Sequence, residues 1–138
     1  MGRGLAVGTR GPALRRRIVE AHGCTGSLDD ADALLEAMRE GAVRAGAEPR
    51  QGTREPFLPH GVTCVLVLAE SHVVVSTWPE HRFAAIDACV CGAGVDLEAL
   101  AAPVLALLAP AEVARASVDR PEPPLQRAAA RQARGVHP

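Results

Sequence analysis

Two apolar, β-branched runs stand back to back in the middle of this chain, Val62 to Ala69 and His72 to Thr77, with only Glu70-Ser71 between them. Branching at Cβ restricts χ1 and favours extended backbone, so both runs are predicted strands. The junction holds neither Gly nor Pro, which leaves a tight connection or continuous β-structure. A Pro59-His60-Gly61 turn precedes the pair, and a third strand is expected from about Phe83 to Val90, ending at Gly92-Ala93-Gly94.

The flanking segments supply helices. Ser27, Asp29 and Asp30 offer N-cap chemistry for a helix running to about Ala45, with Ala31, Leu34, Leu35, Met38 and Ala42 on one face and Gly46 as its stop. A second helix is expected from Asp96, burying Leu97, Leu100, Ala101, Val104, Leu107 and Leu108, with a kink or restart at Pro103. Ile18 to Ala21 reads as a short first strand, Gln51 to Phe57 as an edge strand, and Glu112 to Val118 as a last strand with Ala114, Ala116 and Val118 facing inward. This order predicts an α/β (α+β) two-layer sandwich with helices on one face of a largely antiparallel sheet. The expected domain is 17–119, after a disordered leader over 1–16 and before a flexible tail over 120–138.

Composition excludes more than it selects. At 138 residues and 48% apolar, the chain suits one domain with a modest core. A net charge of −1 gives no reason to expect nucleic acid or an anionic membrane as partner, and Arg15-Arg16-Arg17 reads as a solvated basic arm. The start of the chain, Met1 to Val7, lacks an apolar stretch of signal-peptide length, and the longest apolar runs later on fall short of a bilayer span, so a cytoplasmic protein is expected. Cys24, Cys64, Cys89 and Cys91 lack zinc-site spacing, so no metal is expected and the thiols should be free in a reducing compartment. All fifteen basic residues are arginine. Without lysine, neither a lysine-bound pyridoxal cofactor nor a phosphate-binding Walker loop is tenable.

One stretch carries a denser pattern. Glu70-Ser71-His72 is followed by Val73-Val74-Val75, Ser76, Thr77-Trp78-Pro79-Glu80, and then Asp87 and Cys91-Gly92. This pattern resembles the processing site and catalytic core of the bacterial S-adenosylmethionine decarboxylases. That family has a histidine where this chain has Ser76. The resemblance covers roughly residues 17 to 119 and implies the same two-layer fold.

It further implies a pyruvoyl cofactor made from Ser71 by self-cleavage between Glu70 and Ser71, giving chains of residues 1–70 and 71–138. The pyruvoyl ketone would bond the substrate amine and accept the electrons left when carbon dioxide departs. Cys91 matches the family's general acid, although by itself a cysteine is more simply a small buried hydrophobe, and Cys89 stays with that reading. Phe57 and Trp78 match pocket aromatics that contact the adenine and sulfonium of S-adenosylmethionine, and Glu80 matches the carboxylate on its ribose hydroxyls. Phe57, Trp78 and Phe83 are the only aromatics in the chain, which weakens core packing as an explanation. Thr63 and Ser76 match processing positions, but a serine hydroxyl is too weak a base to replace histidine. Processing is then rescued by His72 or His60, or slow, or absent.

The implied activity is decarboxylation of S-adenosylmethionine to the aminopropyl donor of spermidine biosynthesis, in a homo-oligomer of at least two cleaved protomers. Two alternatives stand beside it: a pyruvoyl decarboxylase of ornithine or arginine, and an unprocessed homologue acting as a binding or regulatory partner.

Overall fold

The computed structural model describes residues 14–91 and 93–120. Along the chain come β1 (Leu14–His22), α1 (Ala31–Ala45), β2 (Pro49–Pro56), β3 (Val62–Leu68), β4 (Ser71–Trp78), a 3-10 turn (Pro79–His81), β5 (Phe83–Cys91), α2 (Leu97–Leu108) and β6 (Glu112–Arg120). The strands form one sheet in the order β2-β3-β4-β5-β1-β6, and every neighbouring pair is antiparallel. Both helices cover the same face, α1 over β2 and β3, α2 over β5 and β1. The expected two-layer sandwich is therefore the observed one.

Period-two alternation divides the sheet into two faces. Val62, Cys64, Leu66 and Leu68 of β3, Val73 and Val75 of β4, Ala84, Ile86, Ala88 and Val90 of β5, and Val19 and Ala21 of β1 point at the helices. They pack against Leu34, Met38, Leu100, Val104 and Leu108 to make the core. The residues between them, among them Ile18, Val65, Val67 and Val74, lie on a face that no described helix covers.

Both helices begin where cap chemistry predicts. Asp30 accepts from the Ala33 amide at 3.0 Å, and Asp96 accepts from the Glu98 and Ala99 amides. Gly46 ends α1 in the left-handed region at φ 86°, which costs glycine little. The junction between the central runs is a tight connection: Leu68 pairs with Ser71 across an Ala69-Glu70 turn.

Several expectations need correction. The first strand begins at Leu14 rather than Ile18, so Leu14 to Arg16 belong to the sheet and not to a leader, and Arg120 ends β6 rather than opening a tail. The rest of the leader and tail lies outside the described residues. The arginine run is no solvated arm, because β1 pairs on both sides and the charges are met by distant partners. Arg15 donates to the Val95 carbonyl at 2.5 Å, Arg16 lies 3.6 Å from Asp87, and Arg17 reaches Glu98 at 2.5 Å.

In β6, Ala114, Ala116 and Val118 are exposed. They pair with Glu20, Ile18 and Arg16, on the face away from the helices, so the strand sits one residue out of the expected phase. Pro103 lies inside α2, which runs without a break from Leu97 to Leu108. Leu107 is only partly buried there. Among the described residues, no helix is long and apolar enough to cross a membrane.

The helices meet at Gly41, where a Cβ would stand 2.1 Å from the Leu100 carbonyl oxygen. The obstructing atom is backbone and cannot rotate away. Gly41→Ala is expected to destabilise the fold by about 1–3 kcal/mol despite alanine's better helix propensity, because overpacking outweighs that gain of under about 1 kcal/mol. A fall in the urea unfolding midpoint at unchanged slope checks this.

Candidate active site

The β3–β4 hairpin places Glu70-Ser71 at one end of the sheet, beside the last residue of β5. There the Cys91 thiol donates to the Glu70 carbonyl oxygen at 3.1 Å. That oxygen belongs to the peptide bond that joins Glu70 to Ser71. Burial pushes the Cys91 thiol above its ordinary value, and electrostatic interaction with Glu70, and after it with the neighbouring Cys89, pushes it further the same way. A thiol kept protonated is a hydrogen-bond and proton donor rather than a nucleophile.

A pocket of about 280 Å³ opens at this end, between the end of α1 at Gly46 to Glu48, the hairpin from Leu68 to Ser71, and Val90, Cys91 and Val95. It brings Ser71 and Cys91 together. Its other walls could not be read from the sequence, because Glu48 and Val95 arrive from connections far away in the chain.

Thr63 and Ser76 form a second group. They are cross-strand partners on the helix-free face, and their hydroxyl oxygens are 2.8 Å apart. Ser76 follows Ser71 by five positions along β4, about 17 Å at the usual strand rise, and the odd spacing sets the two on opposite faces. Within one chain this hydroxyl pair does not meet the Glu70-Ser71 bond.

The aromatic residues gather at the far end of the sheet. Trp78 pairs with Phe83 across β4 and β5, with ring centroids 5.5 Å apart, and Phe83 pairs with His22 of β1 at 5.0 Å. Phe57 follows β2, its amide donating to the Gly61 carbonyl at 2.8 Å. Thr77 is buried, donating to the Leu28 carbonyl at 2.7 Å and accepting from the Val62 amide at 3.0 Å, which turns Trp78 outward.

Phe57 and Trp78 remain 49% and 40% exposed, too open for core residues. Glu80 lies in the turn just beyond Trp78, 3.2 Å from His60. Phe83 and His22 were missed in the sequence, where only strand register would have joined them to Trp78. From Ser71 to Trp78 is seven residues, about 23 Å of strand.

Fold and site together define a small α+β domain with a serine at a hairpin turn, a protonated thiol on the preceding carbonyl, and a separate exposed aromatic cluster. The chain belongs to the S-adenosylmethionine decarboxylase family, whose sequence model matches residues 15–121. A curated relative from Thermosipho melanesiensis, named S-adenosylmethionine decarboxylase proenzyme, is 40% identical over 83 residues, covering 59% of this chain and 64% of the relative. A relative of the same name from Caldicellulosiruptor saccharolyticus is 42% identical over 86 residues, covering 61% and 69%. The aligned part thus spans only about two thirds of these relatives. The crystal structure of the adenosylmethionine decarboxylase from Aquifex aeolicus superposes with a TM-score of 0.72 over 79% of this chain and 91% of that one, at 23% identity, a likeness of fold.

The raised thiol generates a prediction. Alkylation of Cys91 by iodoacetamide is expected to lag behind that of glutathione at neutral pH, with the gap closing as the pH rises and thiolate forms. Glu70→Gln removes one of the charges that holds the thiol up and should speed the reaction, as peptide mass mapping would read it.

Proposed function

We propose that this chain is the proenzyme of a pyruvoyl-dependent decarboxylase of S-adenosylmethionine, cut between Glu70 and Ser71, that makes the aminopropyl donor for spermidine synthesis. The observation that carries the reading is the Cys91 thiol 3.1 Å from the Glu70 carbonyl oxygen. Attack of Ser71 Oγ on that carbonyl carbon loads negative charge onto the oxygen, where the thiol proton is already placed to receive it. The carbon-nitrogen bond breaks and leaves an ester. Removal of the Ser71 α-proton then expels the Glu70 carboxylate from Cβ, and hydrolysis of the dehydroalanine releases ammonia.

The surroundings fit the group that results. Ser71 lies at the mouth of the 280 Å³ pocket, with Cys91 as a protonated neighbour. The pyruvoyl ketone supplies an electron sink for the amine-bearing carbon as carbon dioxide leaves. Cys91 holds the proton that carbon then needs. His72 and His60 stand differently as substitutes for the missing histidine. His72 adjoins Ser71 in β4, whereas His60 belongs to the aromatic end.

Recognition requires a second copy. Phe57, Trp78 and Glu80 suit an adenosyl group by stacking and by accepting from ribose hydroxyls. About 23 Å of strand separates them from Ser71, which is longer than an extended nucleoside-methionine. Two chains joined on their helix-free faces about a two-fold axis would bring the aromatic end of each to the Ser71 end of the other. Ile18, Val65, Val67 and Val74 give that face an apolar centre to bury. The same arrangement would carry Thr63 and Ser76 toward the partner's cut. The four free cysteines suit a reducing cytoplasm.

Intact-mass measurement of purified protein is the direct test. Two fragments divided at Glu70-Ser71 are expected, the C-terminal one bearing the pyruvoyl mass, with Ser71→Ala remaining whole. Ser76→His should speed cleavage by on the order of 10²-fold, the low end of what a placed base contributes. Mixed dimers of Ser71→Ala and Glu80→Ala chains should release carbon dioxide from S-adenosylmethionine although neither parent does. A wild-type chain that stays whole through long incubation overturns the enzyme reading.

A further inference from the structure

The loop that carries Phe57 and the turn that carries Glu80 are separate in sequence, yet one side chain touches both. His60 ends the loop, and its Nδ1 lies 3.2 Å from Glu80 Oε1. That nitrogen is closed off from solvent and has no aligned hydrogen bond, so Glu80 is the charge it faces. The loop is pinned from the other side by Asp29, whose carboxylate accepts from the Gly61 amide at 2.6 Å. Gly61 itself sits at φ 100°, a conformation that glycine adopts freely, and its carbonyl accepts from the Phe57 amide. Phe57, His60 and Gly61 thus form one body, tied to the α1 approach by Asp29 and to the 3-10 turn by His60.

We propose that His60 is a positioning residue that locks the Glu80 carboxylate to the Phe57 loop, so that the stacking contact and the hydroxyl-accepting contact to a nucleoside form as one unit. The proposal rests on the reading of this end of the sheet as the nucleoside-recognition site. An exposed ion pair ordinarily contributes little, because water replaces either partner. Here Nδ1 is covered from water and has no aligned hydrogen bond, so the facing Glu80 carboxylate is what offsets its burial. Glu80 meanwhile projects from a three-residue turn with no helix or strand to restrict its rotamers. Freed from His60 it would have to be ordered again each time a ligand bound.

The test uses methylthioadenosine, which carries adenine and ribose but no amino acid, so that binding reports this end of the site whether or not the chain is cut. Titrated into full-length protein, His60→Ala should weaken binding about fivefold, the effect of one side chain immobilised anew. His60→Asn, which keeps an N–H near the place of Nδ1, should recover most of that loss. Glu80→Ala should weaken binding, and His60→Ala added to it should cost nothing more, since its only route is through Glu80. Wild-type affinity in His60→Ala, or losses that multiply in the double variant, would overturn the proposal. Should His60→Ala fail to fold, the same comparison between His60→Asn and His60→Leu decides it. A wild-type protein that binds no methylthioadenosine would overturn the nucleoside reading and the proposal together, a result distinguishable from failure at His60 alone.

Discussion

Everything at the candidate active site depends on the register of one hairpin. Leu68 pairs with Ser71, and from that pair the partners follow without interruption to Thr63 and Ser76. Because side chains alternate across a strand, a slip of one residue would exchange the two faces of β4. Val73 and Val75 would leave the core, and the Glu70 carbonyl would leave Cys91. The apolar residues on the helix side make that slip costly, each buried valine or leucine contributing about 1.5–3 kcal/mol against exposure. Core packing and the placing of the thiol on the carbonyl are therefore one constraint.

The same register sets the proposed chemical residues and the proposed recognition residues at opposite ends of β4. A sheet is stiff along its strands, so no local rearrangement brings Trp78 to Ser71. On the proposed reading a single chain then offers a reactive end without a recognition surface, and a recognition surface without a reactive group. The proposed two-fold pairing of the bare faces would answer both deficits, because a two-fold axis makes antiparallel neighbours of identical strands. It would also cover Ile18, Val65, Val67 and Val74 on the face that no described helix covers.

Much of the architecture was legible because local chemistry and global fold agree in the centre of the chain. The β-branched runs, the cap at Asp30 and the stop at Gly46 each specify their element within a few residues. The misreadings share a cause in distance. Arg15 and Arg17 are tolerated in an interior strand because Val95 and Glu98, some 80 residues on, receive them. No window around residue 16 contains that information. In β6 the alternation of Val113, Arg115 and Ser117 against Ala114, Ala116 and Val118 suggested the more apolar set as inward. An edge strand with almost nothing buried exerts no pull toward that phase. At the site, motif spacing reached Ser71, Cys91, Trp78 and Glu80, whereas His22 and Phe83 join Trp78 only through register, and His60, weighed in the sequence as an aid to processing, lies beside Glu80 through a loop contact.

In the proposed reaction, the departure at Ser76 bears on the making of the reactive group more than on its use. Ser76 and Thr63 satisfy each other across the strands, and an alcohol so paired has no affinity for a carbon-bound proton near neutral pH. Elimination of Glu70 needs such a proton removed, so the step that lacks its base is the second one of cleavage. The proposed first step, attack on the Glu70 carbonyl, would keep its donor in Cys91, which lies on that oxygen, and the proposed later protonation of substrate carbon would keep it too. The proposed recognition residues Phe57, Trp78 and Glu80 lie at the other end of the strand, and their proposed contacts do not involve Ser76. The substitution is confined to one proton transfer, and His72 is the one described imidazole attached to the residue that must lose that proton.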